Sequence, residues 1–172
     1  MKLASYKATR AGWQGWFNRL IRLRFSGPHS HSEIVFEPGD GVDALMPDGT
    51  CEMTEAGELW CASSVAIERL PNWGYRAGKV GGVRFKRIAL DPGKWDLRPL
   101  RRDAQFAAEY FKTNEGVPYS WRLIAKFIAW CVDLRGTKQL TCSQVCAGAC
   151  GVPPAEAWRL DPCTLDVVVQ VM

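Results

Sequence analysis

The segment TCSQVCAGACG, Thr141 to Gly151, places Cys142, Cys146 and Cys150 four residues apart, on one face of a helix. Thr141 and Gln144 match the S/T-x-x-E/Q capping box, which makes Thr141 the N-cap and Cys142 the first helical residue. At that position the unpaired backbone amides and the positive end of the helix dipole favour a thiolate, the form in which cysteine is a nucleophile. The helix end supplies only ~0.3–1 kcal/mol, so an imidazolium or a buried geometry must add to it. The chain has two histidines, His29 and His31, both at the mouth of the strand-like stretch HSEIVF. They fall on one side of that strand if it begins early enough. His31 is attached directly to SEIVF, whereas His29 follows the chain-breaking Gly27 and Pro28. Glu33, two residues beyond His31, points the same way and can accept a hydrogen bond that stabilises the charged imidazole. These types fit nucleophilic catalysis by a Cys–His pair, provided that sulfur and imidazole are neighbours at an open groove. Taken singly they have plainer roles: Cys142 as core, His31 at a strand edge, Glu33 as a surface acid.

The same cysteines are poor candidates for metal. Zinc sites prefer four Cys or His ligands with a close CxxC or HxxxH pair, and neither pattern is present. No metal or other cofactor is therefore expected, and Cys146 and Cys150 read as small core residues among Val145, Ala147 and Ala149.

The elements that must position these groups change character along the chain. GWQGWFNRLIRLRF spaces Trp13, Trp16, Phe17, Leu20 and Ile21 as the apolar stripe of a helix over about 11–24, with Asn18, Arg19 and Arg22 opposite. Such a stripe packs on the domain; a basic helix rich in tryptophan can also rest on an anionic membrane, the less favoured expectation. Strands are expected at HSEIVF, ELWCASSVAI and VGGVRFKRIAL, separated by turns around Pro38–Gly41 and Pro47–Gly49; the third alternates only partly, with Val83 and Phe85 against Arg84 and Lys86. The period then becomes helical. RRDAQFAAEYFKTNEG carries Phe106, Ala107, Tyr110 and Phe111 at helical spacing, and Asn114 to Gly116 ends it. VPYSWRLIAKFIAWCVDLRG predicts a helix from after Pro118 to Gly136, the cysteine helix is closed by Gly151, Pro153 and Pro154, and CTLDVVVQVM reads as a final strand or a helix-to-strand tail. There is no repeat and no clear boundary. The expectation is one α+β domain over residues 1–172, an antiparallel sheet packed against helices.

Composition narrows the function classes. Apolar residues are 47% and charged residues 23% of 172, ordinary globular values, with eight Trp the one excess. A net charge of +4, with basic residues dispersed apart from Arg19–Arg24 and Arg98–Arg102, argues against a dedicated nucleic-acid binder. Seven cysteines, an odd number without CxxC pairs, and an N-terminus lacking the apolar core of a secretory signal point to reduced thiols and a cytoplasmic or virion location. The apolar run LIAKFIAW is interrupted by Lys126 and falls far short of the ~18 residues a membrane span needs.

The order histidine, strand, long insert, tyrosine, helix, cysteine helix and proline-containing tail resembles the circularly permuted members of the NlpC/P60 papain-like superfamily, the YiiX/YebB-like cysteine hydrolases of bacteria and phages. The matching stretches are SHSEIVF, GVPYSW, LTCSQVCAGACG and LDPCTLD, spanning about residues 28 to 167, and CASS and GGVRFKRI are similar to the second and third strands of phage-type members. The resemblance implies that Cys142 is the nucleophile and His31 the general base. Glu33 is then the third polar residue, with Ser63 or Ser64 in reserve, and Tyr119 lines the substrate site. It departs from the family at Gln144, where Glu is frequent, and at Ser120, where Asp is frequent. The activity it implies is thiol-dependent hydrolysis of an amide bond through a thioester, with a peptide or amide substrate such as bacterial cell-wall peptide (peptidoglycan). It also leaves open an acyltransferase or lipid-directed thioester enzyme of the same fold, or a catalytically silent virion or binding module. Oligomeric state is not legible.

Overall fold

The structure, a computed structural model, describes residues 1–9, 11–74, 76–120 and 140–171. Five strands form one antiparallel sheet: β1 (Lys2–Tyr6), β2 (His31–Phe36), β3 (Glu58–Arg69), β4 (Val80–Ala89) and β5 (Trp95–Pro99), in the order β4-β3-β2-β1-β5. Helix α1 (Gly12–Phe25) joins β1 to β2; α2 (Ala104–Thr113), α3 (Cys142–Ala149), the single turn α4 (Pro154–Ala157) and α5 (Pro162–Val171) follow the sheet. The architecture is α+β, with β2, β3, β4, α2 and α3 where the sequence pattern places them. The helix expected between Pro118 and Gly136 falls mostly on residues 121–139, outside the described set. Among the described residues no helix is long and apolar enough to cross a membrane.

Pairing register divides the sheet's side chains between two faces. One face carries Leu3, Ile34, Phe36, Trp60, Ala62, Val83 and Phe85, and against it pack Phe111 of α2, Val145 and Cys146 of α3, and Leu165 and Val169 of α5. Phe36, Phe85 and Phe111 meet there with ring centroids 6.0–6.5 Å apart, in the range of favourable aromatic pairs. The other face carries Ala4, Tyr6, Val35, Cys61 and Trp95. Cys51, Cys61, Cys142, Cys146, Cys150 and Cys163 are free thiols.

Four features correct the sequence expectations. β1 and β5 are strands that the sequence pattern did not reveal; each has five residues, and β5 lies at an edge, where Pro99 is tolerated. The tail is helical, not a strand. Asp161 accepts hydrogen bonds from the amides of Cys163 (2.8 Å) and Thr164 (3.0 Å), Pro162 occupies the first helical position, and Leu165 and Val169 enter the core one turn apart. In α2 the buried residues are Ala107, Ala108 and Phe111, and Phe106 is exposed.

The fourth is α1, which presents a different face from the one its pattern suggests. Asn18 is buried and donates to Ser30 Oγ at 2.6 Å, and Arg22 reaches back to the carbonyl of Lys7 and the hydroxyl of Thr9. These polar contacts turn the expected solvent side inward and leave Trp16 and Leu23 exposed, while Ile21 is half-buried. Leu20 is also half-buried, and Trp13 and Phe17, the other two members of the expected stripe, lie outside the described side chains.

Candidate functional site

The capping box forms as its residues require. The Thr141 hydroxyl accepts from the Gln144 amide, and Gln144 Oε1 accepts from the Thr141 amide at 2.9 Å. Cys142 therefore begins α3, and the residue just before the cap is fixed from two sides. Leu140 bridges Tyr119, and its carbonyl accepts from Ser64 Oγ of β3 at 2.8 Å. Gln144 thus closes the helix start.

The histidine is brought to this helix by a split in the sheet. β2 stays paired with β1 as far as His31↔Tyr6, and β3 stays paired with β4 through Ser64↔Val83, but the β2–β3 ladder ends at Ile34↔Ala62. The Ser32 carbonyl, released from the ladder, accepts from Ser63 Oγ at 2.6 Å and from Cys146 Sγ at 3.5 Å. Further along, β3 bulges between Val65 and Arg69. Gly81 faces the bulge with φ +76°, where a Cβ would meet the Ala66 carbonyl oxygen at 2.7 Å, so this close approach requires glycine.

A cleft of about 60 Å³ occupies the split, bounded by His31, Cys142 and Tyr119, by Asn18 and Ile21 of α1, and by the bulged residues of β3. The open groove expected for a reactive sulfur is instead narrow. Cys142 is 6% exposed, whereas the His31 side chain retains 15%. The Cys142 thiol lies within hydrogen-bonding reach of the His31 ring. His31 Nε2 is engaged by Glu33 Oε1 at 2.8 Å, so by elimination Nδ1 is the ring nitrogen left to meet the sulfur.

Glu33 is 1% exposed and sits beneath the histidine. Its two oxygens receive a bidentate pair of 2.8 Å bonds from Arg84, itself 3% exposed, and Arg84 also contacts Glu68 at 3.4 Å. Glu68 in turn pairs with Lys86. Glu33 on β2 and Arg84 on β4 reach each other across β3, where the intervening residue on the shared face is the small Ser63. Burial opposes charge on both His31 and Glu33, and in each case the partners outweigh it. The negative charge and hydrogen bonds of Cys142 and Glu33 push His31 up to about 9. Arg84 and His31 hold Glu33 down at about 2. Burial pushes Tyr119 well above the ordinary phenol range, and negative charge at Cys142 adds to the effect. Burial likewise raises Cys51, Cys61, Cys146, Cys150 and Cys163.

The structure thus brings Cys142, His31, Glu33 and Tyr119 to one place. Ser63 and Ser64, the reserve for the third polar position, are structural ties to Ser32 and Leu140, and the carboxylate on the imidazole is that of Glu33. His29 does not share the side of β2 with His31, because the strand begins only at His31; His29 is buried against Asp96 at 2.9 Å. Sequence reasoning missed Arg84, Glu68, Asn18 and Ile21. For Arg84 a signal existed: in VRFKR it alternates with core residues, so it falls on the face that carries Glu33. Such an arginine, if covered, needs an acid. The chain matches no protein-family model, no curated protein and no solved structure.

Proposed function

We propose that this protein is a thiol hydrolase of amide bonds with a permuted NlpC/P60-like arrangement, in which Cys142 is the nucleophile and His31 its acid–base partner. The observation that carries the reading is the meeting in one cleft of Cys142 at a capped helix start and His31, whose ring is hydrogen-bonded to a buried carboxylate clamped by Arg84. A thiol, an imidazole and an orienting acid in this order are the parts nucleophilic acyl transfer needs.

The chemistry follows from those parts. With His31 raised to about 9, the ring is cationic at neutral pH and faces the sulfur as an imidazolium. The thiolate attacks the amide carbonyl, and the amides at the start of α3, that of Cys142 among them, hydrogen-bond the developing oxyanion. His31 gives its proton to the departing amine, leaving an acyl thioester on Cys142 and a neutral ring. The ring then takes a proton from water, the resulting hydroxide attacks the thioester, and the carboxylic acid and the thiolate–imidazolium pair are released and restored. Glu33, locked by Arg84, holds the ring with Nδ1 toward the sulfur throughout. Tyr119 flanks the acyl group. The cleft of about 60 Å³ admits only a small group beside the sulfur, and a cell-wall peptide is the substrate class the resemblance favours.

Alkylation with iodoacetamide followed by peptide mapping tests the assignment, alongside mass-spectrometric turnover of peptidoglycan stem peptides. Cys142 is expected to react first, its reaction to slow at least about tenfold in His31→Ala, and turnover to vanish in Cys142→Ser. Faster labelling of the half-exposed Cys163 with Cys142 inert, or a His31→Ala variant that labels at the original rate, would overturn it.

A further inference from the structure

Among the described residues, α1 exposes two large apolar side chains one above the other on a single face. Trp16 is 66% and Leu23 79% exposed, and with Arg19 and half-buried Leu20 they follow the i, i+3, i+4, i+7 spacing of a single helix face. A shallow groove of about 840 Å³ runs beside them, bounded also by Ser26 and Pro28. A stripe that the polar contacts of Asn18 and Arg22 turn outward is not there to build this domain's core.

Charge decides what it fits. Residues 1–32 contain Lys2, Lys7, Arg10, Arg19, Arg22 and Arg24 and neither Asp nor Glu, so the chain's excess of positive charge is gathered at this end. Lys2 and Lys7 are answered by Glu37 and Asp96. Arg22 donates to neutral oxygens, and Arg19 is exposed within the apolar stripe. Tryptophan and leucine flanked by arginine, on a helix without acids, match the boundary of a bilayer, where apolar groups enter the acyl layer and cations meet lipid phosphates. We infer that α1 docks this protein on an anionic membrane surface through Trp16, Leu20 and Leu23, with Arg19 toward the headgroups. Asn18 and Ile21 of the same helix bound the Cys142–His31 cleft, so docking sets that cleft close to the lipid surface. The inference does not depend on the thiol chemistry.

Vesicle co-sedimentation of the full chain tests it, comparing phosphatidylcholine vesicles with vesicles in which about a third of the lipid is phosphatidylglycerol. Partitioning is expected to be at least about tenfold stronger on the anionic vesicles and to weaken as salt is raised. Trp16→Ser combined with Leu23→Ser is expected to abolish binding, and Arg19→Glu to weaken it about tenfold, with circular dichroism and Cys142 alkylation unchanged. Equal partitioning on both vesicles, or undiminished binding by the double variant, would overturn the inference. So would self-association that the double variant abolishes without any vesicle binding, which would assign the stripe to a second copy of the chain.

Discussion

Replacing Arg84 by Met leaves the Glu33 carboxylate buried without its bidentate partner, and the cost can be bounded in two ways. Breaking a buried ion pair by removing one partner typically costs about 3–5 kcal/mol. Independently, the depression of Glu33 from its ordinary 4.5 to about 2 corresponds to about 3 kcal/mol in favour of the folded carboxylate, shared between Arg84 and His31. Arg84→Met is therefore expected to lose about 3–5 kcal/mol in urea unfolding near neutral pH, a large part of a typical domain's stability. Glu33→Gln removes the acid instead, and Arg84 then keeps only its 3.4 Å contact with Glu68. The double variant carries no buried charge at either position, and replacing both members of such a pair by neutral groups is often nearly neutral. It should be more stable than Arg84→Met alone, with a coupling of about 1–3 kcal/mol across the cycle. Additivity within about 0.5 kcal/mol would refute the reasoning, because it would mean that the two groups do not sense each other in the folded state.

The histidine and its acid also set a pH window. Glu33, held at about 2, contributes stability above its ordinary 4.5 that disappears as pH falls through 2; His31, raised to about 9, contributes stability below its ordinary 6.5 that disappears as pH rises through 9. Both contributions are complete between 4.5 and 6.5. Urea unfolding should lose about 3 kcal/mol from the histidine between about pH 5.5 and pH 9, and His31→Gln should show that much less loss over the same range. Gly148, inside α3, faces Tyr110 so closely that a Cβ would lie 2.5 Å from its Cζ. Gly148→Ala should therefore destabilise the protein by about 1–3 kcal/mol in the same assay, although alanine is the better helix former by about 1 kcal/mol.

What was legible in the sequence is mostly local. The capping box at Thr141 and Gln144, the alternation in HSEIVF and the turn residues around ELWCASSVAI act over a few residues, and each forms the element it encodes. The contents of α1 were legible but not its orientation, because the Asn18–Ser30 bond and the reach of Arg22 to Lys7 are tertiary contacts that outweigh an apolar stripe. The valines of DVVVQV favour a strand by propensity. The cap at Asp161 and Pro162, with Leu165 and Val169 buried one turn apart, makes them helical. β1 and β5 could not be read because each is defined by partners distant in sequence.

The juxtaposition of Cys142 and His31 shows why the site needs the split sheet. Helix α3 packs on the face that carries Ile34 and Phe36, whereas His31 shares its register with Glu33 and Val35 on the other face. A helix and a side chain on opposite faces of a continuous sheet are separated by the backbone itself. They can meet only where two strands part, and β2 and β3 part at the residues between Ile34 and His31. The separation strands the Ser32 carbonyl, which Ser63 and Cys146 satisfy, and it leaves Glu33 near β3 without a ladder partner there. The Arg84 fork reaches across that gap and ties β4 to β2 where backbone bonds no longer do. One ion pair thus both closes the split mechanically and fixes the acid that orients the histidine.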